Sequence, residues 1–152
     1  MHRAMVDVST QIVINRPRQR VAQYTAIPDN APHWYVNIKS VKWQTPRPLR
    51  VGSRIAFVAE FLGRTLSYTY EIVEHIPGEK LIMSASDGPF PMETTYLWKS
   101  AGDGRTEMTL RNRGAPSGFS RFLAPILAVV MRRTNNKDLK LLKQILERGG
   151  YA

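Results

Sequence analysis

The 152-residue chain has no cysteine, which removes disulfides, thiolate nucleophiles and thiolate metal ligands and is compatible with a reducing compartment. Long apolar runs are also missing. The longest nearly uncharged stretch, FLAPILAVVM at 122–131, has ten residues, about half of the roughly 20 that span a bilayer. The N-terminal MHRAMVDVSTQIVIN alternates, with no continuous apolar segment behind a charged head, so no secretory signal is read and a cytoplasmic location is expected. His2, His33 and His75 are scattered and form no helix-spaced ligand pair, so no metal site is expected. No P-loop, Gly-x-Ser-x-Gly elbow or dinucleotide fingerprint occurs, and GDGRTEM reads as a hairpin loop; no cofactor is expected.

Acidic residues are scarce, 12 against 22 basic ones, which leaves a net charge of +10. The excess is uneven. Residues 1–50 carry eight basic and two acidic groups and residues 119–148 carry seven and two, while the middle is near balance. Such clusters attract nucleic acid, anionic lipid or acidic ligands, or simply form a solvated surface. The five basic residues Arg132, Arg133, Lys137, Lys140 and Lys143 circle a helix too broadly for one nucleic-acid stripe, so nucleic acid is disfavoured.

What is present fits an ordinary globular domain, with 43% apolar and 22% charged residues, and a single domain over 1–152 is expected. Residues 6–14 place Val6, Val8, Thr10, Ile12 and Ile14 on one side, the period of a half-buried strand. Asn15 is expected to cap a short helix containing Val21, Tyr24 and Thr25, which Pro28 ends. In PDNAPHWYVN, Asp29 or Asn30 then starts a second, very short helix in which His33, Trp34 and Tyr35 point about 100° apart. IKSVKW, RIAFVAEFL, TLSYTYEIVEHI, KLIMSAS, METTYLWK and RTEMTLRNR follow as strands separated by turn signals, six to seven antiparallel strands in all. Beyond GAPSG the period becomes helical through Phe119, Phe122, Leu123, Ile126, Leu127, Val130, Met131, Leu141, Leu142 and Ile145. A long helix starting at Ser117 or Ser120 is expected, bent at Pro125 about two turns in. TNNKD interrupts its stripe, and Asp138 falls on or beside the core-facing arc, where it either reaches a ligand or pairs with a nearby arginine, the pairing being the preferred reading.

This order, together with VSTQIVINRPRQRVAQYTAIPDNAPHW, VGSRIAFV, YTYEIVEHIPGEKLIM, TTYLWKSAGDGRTEMTLRNRG and NNKDLKLLKQILE, resembles the helix-grip superfamily. That superfamily includes steroidogenic-acute-regulatory-type lipid-transfer domains, birch-pollen-type allergens and bacterial polyketide cyclase/dehydrase proteins, and this chain is most similar to the last. The resemblance implies an α+β helix-grip fold: a curved antiparallel sheet wrapped around a long C-terminal helix over an apolar cavity, with two short helices after strand one. It implies binding or transport of a hydrophobic small molecule or lipid and, since cavity proteins that exchange lipid must dock on a membrane, weak contact of the basic cluster with an anionic membrane; the alternative is a cofactor-independent cyclase or dehydratase acting on an aromatic or polyketide-like substrate.

On these faces Phe57, Phe61, Tyr68, Tyr70, Thr94, Tyr96, Trp98, Met108 and Asn112 collect on the concave side, beneath Phe122, Ile126, Val130 and Met131. They either line a pocket or fill a closed core. The resemblance puts Trp34 and Tyr35 beside the cavity entrance as gate or wall, with His33 exposed. An enzyme would need a titrating group and an enolate donor. Glu74, on the face of Tyr70 and Ile72 near a strand end, and Tyr70 and Tyr96 are the candidates; Glu93 and Asp138 would titrate if buried, and His75 is expected to face away.

Overall fold

The computed structural model describes residues 6–61, 63–87, 90–116 and 122–148. β1 (Val6–Ile14) leads into α1 (Arg18–Ala26), a 3-10 turn at Pro28–Asn30 and α2 (Ala31–Trp34). β2 (Ile38–Trp43), β3 (Arg54–Phe61), β4 (Arg64–Ile76), β5 (Lys80–Ala85), β6 (Met92–Ser100) and β7 (Thr106–Gly114) follow, and α3 (Ala124–Glu147) closes the fold. The strands form one antiparallel sheet ordered β1-β7-β6-β5-β4-β3-β2. This is the helix-grip α+β arrangement that the sequence led us to expect.

The alternation in β1 is realised as read: Val6, Val8, Thr10 and Ile14 are buried while Asp7, Ser9, Gln11 and Val13 are exposed. As an edge strand, β1 leaves outward carbonyls that α3 covers with cations, Arg132 Nη1 donating to Ser9 O (3.2 Å) and Lys143 Nζ to Val13 O (2.7 Å). The other end of the helix grip is fastened by Glu147, whose Oε2 accepts the Asn15 backbone N–H at 2.7 Å. Asn15 does not cap α1: Pro17 holds the N-cap position in extended backbone, without a side-chain cap, and its carbonyl accepts the Arg20 and Val21 N–H groups at 3.0 and 3.2 Å.

α3 turns Asn135, Asp138, Leu139, Leu142 and Leu146 inward, a spacing of three and four residues that keeps one face on the sheet. Burial of each of those leucines contributes about 1.5–3 kcal/mol. Pro125 causes no mid-helix bend. It lies in the first turn, where its missing N–H would have had no intrahelical partner; the expected starts at Ser117 and Ser120, and Phe119, lie outside the described residues. Two apolar clusters result. The larger joins Ile14, Trp34, Ile55, Trp98, Met108 and Leu142, and the smaller joins Val6, Val8 and Ala124 with Leu127 and Met131 packed against it.

A bulge in β4 reverses one expectation. Ile72 pairs with Met83, but Glu74 pairs with Ile82 and His75 with Leu81, so Val73 is an extra residue and the alternation slips by one. Leu81 is buried, and directly opposed residues share a face. His75 therefore takes the core side, where burial lowers its pKa, and Glu74 takes the outer side, where it meets Lys80 Nζ at 2.9 Å.

Candidate functional site

A cavity of about 340 Å³ lies between sheet and helix, lined by residues from both apolar clusters, among them Tyr70 and Tyr96 from the first and Leu127 and Met131 from the second. β3 contributes Phe57, Ala59 and Phe61, β4 Leu66, Tyr68 and Tyr70, β6 Met92, Thr94 and Tyr96, and β7 Asn112. Each set has the spacing of two that puts side chains on one face of a strand. The exposed members of the lining, Arg64, Asp87 and Leu123, mark its opening. Asp87 is fixed there by accepting the Thr69 backbone N–H at 2.9 Å.

The inner wall carries two hydroxyl groupings. Tyr35 and Tyr96 share a hydrogen bond of 2.6 Å between their phenol oxygens. Thr94 Oγ1 donates to Asn112 Oδ1 at 2.7 Å, and Tyr70 Oη lies 3.0 Å from the same Oγ1. A hydroxyl has one hydrogen, so with Thr94 donating to Asn112 the Tyr70 hydroxyl is the donor to Thr94. Burial raises the pKa of Tyr35, Tyr68, Tyr70 and Tyr96, which keeps all four as neutral phenols. Around Tyr70 the rings meet edge to face, Tyr68 at 5.4 Å and Phe57 at 5.8 Å.

From α3, Asn135 and Asp138 complete the lining, both almost wholly buried. Asp138 does not pair with an arginine: its Oδ1 accepts the Val36 backbone N–H at 2.9 Å. That contact fastens the corner after α2 to the helix. Burial pushes the Asp138 carboxyl from 3.8 up to about 7, against the lowering influence of the Val36 N–H. The Nδ2 of Asn135 is buried without a hydrogen-bond partner.

Of the residues chosen from sequence, Tyr35, Phe57, Phe61, Tyr68, Tyr70, Thr94, Tyr96, Asn112 and Met131 are brought together around the cavity. Others are elsewhere. Trp34 is fully buried behind Tyr35, their rings 4.0 Å apart, and Trp98 and Met108 belong to the packed core, with Trp98 Nε1 donating to Thr25 Oγ1 at 3.0 Å. Phe122 and Ile126 are exposed, and Val130 is half-buried outside the lining. Glu74 and His75 are not in the lining, and Glu93 faces Arg113. His33 is exposed. Sequence reading missed Asn135, Thr134, Leu127 and Met83; the signal for the first two was the polar TNNKD at core-facing positions of an apolar stripe. Among the described residues, no group of three or more His, Asp or Glu is placed to hold a metal ion, and no helix is long and apolar enough to cross a membrane.

A sheet gripping a helix over an aromatic, hydroxyl-bearing cavity defines a helix-grip cavity protein. The chain belongs to the polyketide cyclase/dehydrase and lipid transport family, whose description matches residues 5–147. In structure it is similar to a protein from Thermus thermophilus, at 17% identity and a TM-score of 0.81 over 95% of this chain and 99% of that one. It is similar also to the Zhui aromatase/cyclase from Streptomyces sp. R1128, at 13% identity and a TM-score of 0.80 over 95% and 94% of the two chains. A START superfamily protein from Mycobacterium smegmatis gives 13% identity and a TM-score of 0.79 over 93% and 97%. No curated protein matches the chain by sequence.

Proposed function

We propose that the protein binds, and possesses the cavity to carry, a hydrophobic small molecule or lipid bearing a few uncharged oxygen groups. The observation that carries this reading is the cavity itself. Its volume of about 340 Å³ falls in the range of about 300–1,000 Å³ typical of small-molecule sites. Its wall is mainly aromatic and aliphatic, and its inner polar groups are neutral phenols, Thr94, Asn112, Asn135 and a carboxyl whose burial favours the neutral form. Hydroxyl, phenol and ketone groups suit these partners. A carboxylate would meet no buried cation among the residues lining the cavity, so a fatty alcohol should bind more tightly than the fatty acid of equal length at pH 8. Native mass spectrometry and tryptophan fluorescence test the reading, since Trp34 stacks on the wall residue Tyr35. Failure to take up any member of a panel of long-chain alcohols, sterols and phenolic polyketones would sink it.

A second reading, a cofactor-independent cyclase or dehydratase, is favoured by Asp138, a cavity carboxyl with a pKa of about 7 that suits proton transfer at neutral pH. The likeness to an aromatase/cyclase is in keeping with it. In such a reaction the Asp138 carboxylate takes the proton from the carbon beside a ketone, and a tyrosine hydroxyl of the wall donates to the enolate oxygen that forms. Turnover of a polyketone that survives unchanged in Asp138→Asn, Tyr70→Phe and Tyr96→Phe proteins would dispose of this second role.

A further inference from the structure

The outer side of α3 has a layout that neither the core nor the cavity uses. Ile126 and Val129 are each 61% exposed, and Phe122, just ahead of the helix, is 68% exposed. At about 100° per residue, Ile126, Val129, Arg133, Lys137 and Lys140 fall within an arc of about 80°, opposite the buried Leu139, Leu142 and Leu146. The outward line is thus apolar over its first turns and cationic over the next ones, with Arg133, Lys137 and Lys140 all exposed. α3 contains two acids. Asp138 is turned into the cavity, and Glu147 is held by Lys143 at 2.7 Å, so no carboxylate of the helix offsets the exposed cations of the outer line.

We infer that this face of α3 docks on an anionic lipid bilayer, the exposed side chains of Phe122, Ile126 and Val129 entering the interface and Arg133, Lys137 and Lys140 engaging lipid phosphates. An interfacial helix combines these two features: apolar side chains that insert and basic ones that hold the anionic surface. A second copy of the chain is the poorer occupant, because it would bring two cationic faces of a +10 protein together. Leu123, Leu127 and Met131, from the same turns, line the cavity, and exposed Leu123 lies at its opening. Docking therefore sets the opening beside the lipid. That consequence rests on the cavity reading above, whereas the docking itself does not.

The test is sedimentation of the full chain with phosphatidylcholine vesicles and with vesicles part-substituted by phosphatidylglycerol. Binding is expected on the second kind only, weakening as salt is raised. Arg133→Gln, Lys137→Gln and Lys140→Gln should each weaken it about 5-fold, and Ile126→Ser with Val129→Ser roughly ten-fold. Lys42→Gln with Lys99→Gln, exposed on strands facing away from α3, should stay within about two-fold of the unaltered protein. Absence of binding to anionic vesicles at low salt overturns the inference without any variant being needed. Equal losses in the Lys42/Lys99 control, no loss in the Ile126/Val129 protein, or a dimer in sedimentation velocity that the serines abolish would also overturn it. Uptake of a long-chain alcohol without vesicles separates the two readings: vesicle binding without uptake defeats only the cavity assignment, and uptake without vesicle binding defeats only the docking.

Discussion

Asp138→Asn is expected to make the protein more stable at neutral and alkaline pH. In the unfolded chain this carboxyl titrates near 3.8, and in the folded protein burial holds it at about 7. Between those values the unfolded state has released a proton that the native state keeps, so stability falls as pH rises from about 4 to about 7 and then levels. At 1.36 kcal/mol per unit, the carboxylate at pH 8 destabilises the fold by about 4 kcal/mol. Asparagine has nearly the same shape, cannot ionise, and retains an oxygen for the Val36 N–H. Urea unfolding of both proteins at pH 5 and pH 8 measures the effect. At pH 5, already above the unfolded value of 3.8, the asparagine protein should be more stable by about 1.6 kcal/mol, and at pH 8 by about 4 kcal/mol, or roughly 10 °C in Tm for a chain of this size. Taking the difference between the two proteins cancels groups common to both, including His75 with its lowered pKa. An asparagine protein no more stable at pH 8 than at pH 5, relative to the parent, would refute the assignment of a buried carboxyl held without a cation.

The paired phenols provide a second measurement: Tyr35→Phe and Tyr96→Phe each remove one side of the 2.6 Å bond, and the double-mutant cycle in urea unfolding should return a coupling of about 1 kcal/mol; a coupling of zero would mean the bond is not formed in solution. Gly114→Ala puts a methyl 2.5 Å from Phe90 Cε2 and 3.1 Å from Pro91 O, so a loss of about 1–3 kcal/mol is expected, together with altered ligand uptake because Phe90 lines the cavity; unchanged values in both assays would contradict this packing. Ala59→Phe fills part of the cavity and should weaken uptake of a long-chain alcohol by about ten-fold, or 1.4 kcal/mol, in fluorescence titrations, while uptake as tight as in the parent would place the ligand elsewhere. Leu142→Ala, at a fully buried position, should lower stability by about 2–5 kcal/mol in the same unfolding assay; a smaller loss would mean that the grip of α3 on the sheet is looser than its burial implies.

Strand alternation was the strongest guide to the fold because a sheet with one buried face leaves its period of two directly in the sequence. Val6 to Ile14 and Ile55 to Phe61 both follow it, and the cavity residues of β3, β4 and β6 could be named from it. The rule fails where the backbone adds a residue. Nothing in IVEHI distinguishes a regular strand from one bulged at Val73, so Glu74 and His75 were assigned to the wrong faces. Capping chemistry misleads in a similar way, since Asn15 is a suitable cap by residue type but the helix starts two residues further on, with Pro17 at its N-cap.

α3 shows why the site was harder to read than the fold. In FLAPILAVVM apolar residues occur all round the helix, so periodicity there does not identify the inward face: of the four expected at the cavity, Met131 lines it while Phe122, Ile126 and Val130 do not, and Leu127 takes a place in the lining that periodicity does not single out. Further along, the inward face is fixed by Leu139, Leu142 and Leu146, and the residues in phase with them toward the cavity are Asn135 and Asp138. Burying two polar groups there without a cation, one amide nitrogen lacking any partner, works against stability. A core selected only for packing would carry leucine at both positions. The departure from the apolar stripe is therefore the feature that most specifically favours an open cavity over a filled core. The early turns of α3 carry apolar residues inward to the cavity and outward to a surface that the protein's own core does not cover.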